Sequence, residues 1–187
     1  MRYILASSSP RRKSLMREIS PDFFIEVPEV EETYPDNLKN EEIVKYLAHL
    51  KGYVVSKHHF DDIVISADTI VVINDEILGK PKDKDDARRM HYMLRETPHI
   101  VFTGFSILYK GKEINDFVKS IVVFNYNSDE LIERYLATDI WKDKAGAYGA
   151  QNNDEYPLVK EVIGSLDNVI GFPVKEIKEA IEKIKTA

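Results

Sequence analysis

A single acid inside a long apolar run is the first feature of this chain that suggests chemistry. The segment from Ile63 to Ile73 reads IVISADTIVVI, and Asp68 is its one charged residue. A buried carboxylate costs free energy unless a partner neutralises it or a reaction uses it. The following segment 79–82, GKPK, supplies Lys80, and an acid with lysines suits phosphate and metal chemistry. The alternative is a strand end with a capping acid beside a solvated lysine turn.

Two arginines follow the first predicted strand. The chain runs from a strand over Tyr3 to Ala6 into SSSPRRK, where Ser9 is a predicted N-cap and Pro10 the first helical residue. The free N–H groups at a helix start, together with Arg11 and Arg12, favour an anion. The alternative is a capped helix with a solvated basic face.

An acidic loop and a lysine-bearing helix come next. Residues 28–37 are acidic and irregular and include Glu31 and Glu32. Such a loop is usually only solvated, but it can lend a carboxylate to a metal-bound phosphate. A helix is predicted from Asn40, as its cap, and Lys51 near its end is expected to be no more than a partner of the helix dipole. The predicted apolar face of this helix consists of Ile43, Leu47, Leu50 and Val54.

The remaining pattern predicts a mixed sheet. Helices are predicted from residues 83–86, Ser128 and Pro173, a long hairpin from runs 99–109 and 113–124, and a last strand over 157–163. Between them, the segment 143–151, DKAGAYGAQ, is rich in small residues that allow close approach to another strand or to a ligand. Strands that first alternate with helices and then form a hairpin indicate an α/β fold.

Composition bounds the class of protein. The length of 187 residues fits one domain, 1–187, and the net charge of −6 argues against nucleic acid or an anionic membrane as partner. The absence of cysteine excludes disulfides and thiolate metal sites, and five scattered histidines give no zinc pattern. The first apolar run is too short for a signal peptide and no stretch is long enough to span a bilayer, so a cytoplasmic protein is expected.

Three separated motifs resemble one known family. LASSSPRRKSL, SADTIV with GKP after it, and DKAGAYGAQ occur in the order found in the Maf family of nucleoside triphosphate pyrophosphatases, and the late NVIGFP resembles that family's closing segment. The resemblance covers nearly the whole chain. It implies an α/β fold of the Maf/Ham1, inosine-triphosphate-pyrophosphatase type, with an elongated mixed sheet flanked by helices and two lobes around a central cleft.

The resemblance also implies roles for individual residues. Asp68 matches the family's catalytic base, and Lys80 is a second catalytic candidate. The substrate-binding positions that it implies are Ser7 in the serine loop, the cations Arg12 and Lys51 near the phosphates, and Arg11, Thr69 and Gln151 for selection of the base. A divalent metal, Mg²⁺ or Mn²⁺, is implied, with Asp68, Glu31 and Glu32 as candidate ligands.

The resemblance to the Maf family also implies a substrate. ADT together with a glutamine in the AYG segment resembles the branch that acts on dTTP and UTP and releases pyrophosphate. Ala150 and Asn152 depart from the family's usual residues beside Gln151, and Leu94-Arg95-Glu96 replaces a common Leu-Ser-Gly. A homodimer and a role in cell-division arrest are further implications. The alternatives are a 7-methyl-GTP pyrophosphatase, a regulatory septum-inhibition protein without catalysis, and a nucleotide sensor.

Overall fold

A computed structural model describes residues 1–186 as a mixed α/β protein. Its strands are β1 (Tyr3–Leu5), β2 (Phe24–Ile25), β3 (Ile63–Ile73), β4 (Glu76–Leu78), β5 (His99–Tyr109), β6 (Lys112–Phe124) and β7 (Val159–Ile163). Its helices are α1 (Pro10–Met16), α2 (Asn40–Ser56), α3 (Lys84–Leu94), α4 (Asp129–Leu136), α5 (Leu166–Ile170) and α6 (Val174–Thr186). Short 3₁₀ turns occupy Ala145–Ala147 and Ala150–Asn152. No helix within residues 1–186 combines the length and the apolar character needed to cross a bilayer.

The strands form one seven-stranded sheet in the order β2-β1-β3-β5-β6-β7, with β4 paired to β3. β1 runs parallel to both neighbours, with Ile4 opposite Phe24 on one side and Val64 on the other. β4 and β7 pair antiparallel to β3 and β6. The mixed sheet predicted from the sequence is therefore confirmed.

Two turns fix the hairpins. Asn74 and Asp75, with φ of 48° and 63°, connect β3 to β4, and Lys110 and Gly111, with φ of 51° and 76°, connect β5 to β6. Positive φ at both central residues is the geometry whose twist suits a two-residue hairpin loop. The predicted Asn74-Asp75 turn and the predicted long hairpin are both confirmed.

Helix α2 packs closely on β3 and β5, and this contact depends on two glycines. A Cβ at Gly104 in β5 would lie 2.3 Å from the carbonyl oxygen of Val44, and a Cβ at Gly52 would lie 2.6 Å from the Leu108 side chain. Ser66 Oγ donates a 2.6 Å hydrogen bond to the carbonyl of Ala48. The helix backbone therefore lies directly against the sheet along this line.

The buried face of α2 differs from the predicted one. Leu50 and Val54 are only half-buried. The helix instead buries Ile43, Val44, Leu47, Ala48, Lys51, Gly52 and Val55. Close approach at the small residues Ala48 and Gly52 rotates the contact stripe toward Lys51. The start of α2 was also assigned one residue late, because Lys39 is the N-cap and Asn40 is already helical.

The chain separates into two compact units, one of Met1–Thr69, Thr103–Val118 and the chain from Gly171 onward, the other of Ile70–Phe102 and Lys119–Ile170. The first unit has a small apolar cluster around Ile4 and Val64. The second has a larger core with Phe124, Tyr135 and Tyr148 among its members. The expectation of a single domain and of a cleft between lobes stays a prediction.

Candidate active site

Asp68 lies in the middle of β3 and is 7% exposed. Side chains alternate between the two faces of a strand, so Asp68 shares a face with Ser66. That is the face on which α2 packs, since Ser66 bonds to the carbonyl of Ala48. Asp68 is therefore directed at the next turn of α2, and its Oδ1 accepts a 2.6 Å bond from Lys51 Nζ. The predicted lone acid of the apolar run is an ion-paired residue within the first unit.

Lys51 is buried and shared between two carboxylates. Its Nζ lies 2.6 Å from Asp68 Oδ1 and 2.8 Å from Glu32 Oε2. The pattern-based expectation that Lys51 is no more than a partner of the helix dipole is wrong, because the stripe of α2 that faces the sheet includes position 51. An unpaired buried charge is costly, so the Asp68 carboxylate and the Lys51 ammonium depend on each other.

The two acids of the acidic loop occupy different positions. Glu32 has a 52% exposed side chain and reaches Lys51 with one carboxylate oxygen. Glu31 is exposed, and its backbone carbonyl accepts a hydrogen bond from Thr33 N. The structure thus brings Glu32, and not Glu31, to the ion pair of Asp68 and Lys51.

Arg12 is anchored from two sides. Its Nε donates to the carbonyl of Gly171 at 2.9 Å, and its Nη2 donates to Thr69 Oγ1 at 3.2 Å. Burial lowers the pKa of the Arg12 guanidinium from its ordinary value, while Asp68 and Glu32 raise it by electrostatic attraction and Arg11 lowers it by repulsion. Arg12 therefore interacts electrostatically with the same two carboxylates that contact Lys51.

The segment before Arg12 folds as predicted. Ser9 caps α1 by accepting from Arg12 N at 3.4 Å, with Pro10 as the first helical residue. Ser7 is buried, and its Oγ accepts from Ser9 N at 3.1 Å. Arg11 follows, half-buried. Because α1 has only seven residues, its arginines supply more positive charge here than the helix dipole does.

Lys80 and Gln151 belong to the second unit. Both are exposed, Lys80 after β4 and Gln151 in the 3₁₀ turn Ala150–Asn152. The glycine-rich segment before Gln151 packs on the protein itself, since a Cβ at Gly146 would lie 3.2 Å from the Val71 side chain of β3. The sequence allowed this segment to approach either another strand or a ligand, and the structure shows that it approaches strand β3.

A complete protein cage for a metal ion is absent from residues 1–186, where no group of three His, Asp or Glu side chains is placed to hold one. Oxygens of Asp68 and Glu32 nevertheless converge on a single cation, the Lys51 ammonium. Mg²⁺ is commonly held by one or two carboxylates together with substrate phosphates. The residues present fit a metal of that kind.

Two residues beside Arg12 carried little sequence signal. Thr103 is a fully buried threonine of β5 whose Oγ1 lies 2.9 Å from Thr69 Oγ1, and Gly171 supplies the carbonyl that Arg12 contacts. Thr103 and Ser106 are two buried hydroxyl residues of a largely apolar strand, and nothing in the sequence distinguishes one from the other. Gly171 lies in the NVIGFP segment.

Comparison with known proteins places this arrangement in a family. The model of the family described as "Maf-like protein" matches residues 2–184. The chain belongs to the Maf-like protein family. The resemblance of its motifs to that family is thereby confirmed.

Several curated relatives of this Maf-like chain have the same name. Proteins of Halalkalibacterium halodurans and Alkaliphilus oremlandii, both called "dTTP/UTP pyrophosphatase", are 40% and 44% identical to it over 180 and 174 residues. These alignments cover 96% and 91% of this chain and 94% and 90% of the relatives. A protein of Pyrococcus abyssi with the same name is 38% identical over 96% of this chain and 94% of its own length.

Solved structures support the fold of the Maf-like chain. The Ham1 protein of Staphylococcus aureus superposes with a TM-score of 0.58 at 14% identity, covering 98% of this chain and 100% of that one. A HAM1 protein from Coxiella burnetii gives a TM-score of 0.53 at 11% identity, covering 98% and 99%. The predicted mixed α/β fold of the Maf/Ham1 type is confirmed.

Proposed function

We propose that this chain is a nucleoside triphosphate pyrophosphatase that hydrolyses dTTP and UTP to the monophosphate and pyrophosphate. The structural observation that carries the proposal is the buried Asp68 carboxylate, paired with Lys51 and accompanied by Glu32. Relatives called dTTP/UTP pyrophosphatase, about two-fifths identical over nearly the whole chain, support the same activity.

In the proposed reaction, Asp68 accepts a proton from the attacking water. The water oxygen forms a bond to the α-phosphorus, and the bond from that phosphorus to the α–β bridging oxygen breaks. The electron pair leaves with pyrophosphate. A positioned carboxylate base of this kind typically contributes about 10²–10⁴-fold to a rate.

The cations of the first unit have complementary tasks. Lys51 holds the Asp68 carboxylate in one orientation through its 2.6 Å bond. Arg12, held by Gly171 and Thr69, presents its remaining N–H groups to phosphate oxygens in a fixed plane. Fixed donors aimed at developing charge are a large source of rate enhancement in such reactions. Ser7 and Arg11 are proposed to contact the same substrate.

We propose Mg²⁺ or Mn²⁺ as the cofactor. Asp68 and Glu32 would hold it together with phosphate oxygens of the nucleotide, and Glu31, which the resemblance also suggested, stays a prediction. When bound, the metal would neutralise charge on the triphosphate and polarise a phosphoryl oxygen.

The assignments of Lys80 and Gln151 are proposals drawn from the resemblance. Lys80 would neutralise charge on the substrate, and its exposed side chain is accessible for that purpose. Gln151 would read the base, because an amide both donates and accepts and so matches the donor–acceptor edge of uracil or thymine. The exposed turn position of Gln151 leaves its side chain accessible to a ligand.

Release of pyrophosphate tests the activity directly. Specificity constants with magnesium or manganese are measured for dTTP, UTP, CTP, ATP, GTP and 7-methyl-GTP. We expect the highest values for dTTP and UTP. A preference for 7-methyl-GTP contradicts the substrate assignment, and binding of nucleotides without release of pyrophosphate identifies a sensor instead of an enzyme.

The same assay tests Gln151. Gln151→Ala should lower the preference for dTTP and UTP by roughly 1–3 kcal/mol, the usual value of a lost polar contact to a ligand. The turnover of poor substrates should change much less. Asp154→Ala, another exposed position of the same loop, is the control. An unaltered profile in the Gln151 variant removes this residue from base selection.

Three broader assignments complete the proposal. We propose a cytoplasmic enzyme that acts on small nucleotides and forms a homodimer, and light scattering of the purified chain tests the last point. A role in cell-division arrest stays a prediction of the resemblance. An Asp68→Asn variant expressed in cells tests it, because a non-catalytic regulator would keep its effect on septation.

A further inference from the structure

The orientation of the Arg12 guanidinium is set by two hydrogen bonds. Nε donates to the Gly171 carbonyl and Nη2 donates to the Thr69 hydroxyl, at 2.9 and 3.2 Å. A guanidinium is planar and has five N–H groups, so two bonds from different nitrogens fix its plane and leave three N–H groups for other partners. The direction of those three groups therefore depends on where Thr69 Oγ1 lies.

Thr69 Oγ1 is in turn held by Thr103. The two hydroxyl oxygens are 2.9 Å apart across the neighbouring strands β3 and β5. Thr103 is fully buried, whereas Thr69 is only half-buried. A threonine can rotate its hydroxyl away from a ligand and turn its methyl group toward it. The contact with Thr103 favours the rotamer in which Thr69 accepts from Arg12.

Gly171 closes the same arrangement. It has a φ of 110°, and a Cβ at this position would lie 3.0 Å from Thr69 Oγ1 and 3.8 Å from Arg12 Nε. Glycine is the residue that adopts this conformation without a steric penalty. Its backbone can therefore bring a carbonyl to Arg12 while leaving room for the Thr69 hydroxyl.

We propose that Thr103 is a positioning residue, which acts through Thr69 to orient the Arg12 guanidinium toward the triphosphate. The inference rests on the proposed function, in which Arg12 contacts phosphate. It assigns a task to a buried hydroxyl that touches neither phosphate nor base. It also gives Thr69 a task that does not depend on the identity of the base.

The test is Thr103→Val, which replaces the hydroxyl by a methyl group of similar size. We expect kcat/KM to fall about tenfold, the equivalent of one charge-assisted hydrogen bond, and to fall equally for dTTP, UTP and CTP. Thr103→Ser, which keeps the hydroxyl, should restore most of the loss. Ser106→Ala, at another buried hydroxyl of β5, is the matched control and should leave the kinetics unchanged.

A double-mutant cycle separates positioning from general destabilisation. In an Arg12→Ala background, Thr103→Val should cause almost no further loss, because its effect passes through Arg12. Independent, multiplying losses would overturn the inference, as would wild-type kinetics in a folded Thr103→Val protein. A loss confined to the ratio between nucleotides would also overturn it and would assign the two threonines to base selection.

Two further measurements keep the test decisive. Inorganic tripolyphosphate binding, followed by calorimetry, reports on Arg12 even if dTTP and UTP are not substrates, so failure of the proposed function and failure of this inference are distinguishable. Tripolyphosphate should bind Thr103→Val about tenfold more weakly than wild type. If Thr103→Val does not fold, Thr69→Val breaks the same chain of bonds at a half-buried position and must give the same uniform loss.

Discussion

At the scale of single residues, the site is a group of charges that share partners. Lys51 is one ammonium shared by the carboxylates of Asp68 and Glu32, and Arg12 is attracted by both acids. The buried Asp68 carboxylate would be costly without such a cation, whereas the half-exposed Glu32 keeps access to water. A metal–triphosphate complex would bring a cation to the acids and phosphate oxygens to Lys51. The arrangement is thus suited to exchange of partners on substrate binding.

The first prediction concerns Asp68. Asp68→Asn should reduce turnover by about 10²–10⁴-fold, because the amide cannot accept the proton from water. The fold should survive, since the amide oxygen can still accept from Lys51. Asp75→Asn, at the exposed turn that follows the same strand, is the control for loss of one acid. Near-normal pyrophosphate release by Asp68→Asn would remove this residue from catalysis.

A second prediction concerns Lys51 and metal binding. Lys51→Met keeps the buried methylene chain but leaves Asp68 and Glu32 without their shared ammonium. Removing one partner of a buried ion pair typically costs about 3–5 kcal/mol, so the variant should melt well below wild type in the presence of a chelator. Mn²⁺ should recover part of this loss without nucleotide, because it can replace the missing ammonium beside the two carboxylates.

Thermal melting with and without Mn²⁺ checks this second prediction. The shift caused by Mn²⁺ should be larger in Lys51→Met than in wild type. Lys57→Met removes an exposed lysine just beyond the same helix and should respond to Mn²⁺ as wild type does. Equal shifts in all three proteins would mean that Asp68 and Glu32 do not attract the metal.

At the scale of elements, the sequence predicted most strands and helices but not the face of α2. Hydrophobic periodicity predicts that Leu50 and Val54 lie on the buried face, but both are only half-buried. It does not predict Lys51, which is buried on the face that contacts the sheet. Periodicity weighs side chains by apolarity, whereas the actual face is decided by the small residues Ala48 and Gly52, which let the helix approach the sheet. A buried lysine is recognised only once its carboxylate partners are placed in space.

The third prediction tests this packing. Gly104→Ala places a methyl group 2.3 Å from the Val44 carbonyl oxygen, so α2 must move away from β5. Overpacking of this kind typically costs about 1–3 kcal/mol or more, and the displacement also carries Lys51 away from Asp68. Both the melting temperature and turnover should fall together. Gly79→Ala, where a Cβ meets nothing within 4 Å, is the stability control.

At the scale of the whole molecule, the motifs could be read in sequence but their contacts could not. The sequence motifs indicate Asp68, Arg12 and Gln151 as candidates, yet the bond from Arg12 to Gly171 joins positions 159 residues apart. No local pattern encodes a partner at that distance along the chain. The fold type followed from the order of strands and helices, whereas the pairing of Lys51 with two acids and the Thr69–Thr103 contact required the assembled sheet.

Two buried histidines tie the stability of the molecule to pH. His91 Nε2 donates to the Ala147 carbonyl at 2.9 Å, and His99 Nε2 lies 2.8 Å from the Tyr148 hydroxyl. Burial lowers the pKa of each histidine to about 4. His91 Nδ1 is buried without a hydrogen-bond partner among the described residues. A proton added there would therefore be buried without an acceptor.

The last prediction follows from proton linkage. Between the unfolded pKa of about 6.5 and the folded value of about 4, the unfolded chain binds more protons than the folded one. Acidification through this window therefore favours unfolding, and the stabilisation is complete only above it. Each histidine should contribute a slope of up to about 1.4 kcal/mol per pH unit.

Urea unfolding at a series of pH values from 7 to 4.5 measures that slope. His91→Gln should lower the slope of unfolding free energy against pH by about the contribution of one histidine. Its amide can still donate to the Ala147 carbonyl, so that hydrogen bond is kept. His58→Gln, at an exposed position, is the control for removal of one histidine. An identical slope in wild type and His91→Gln would mean that His91 is protonated in the folded protein, which its burial and its unpartnered Nδ1 oppose.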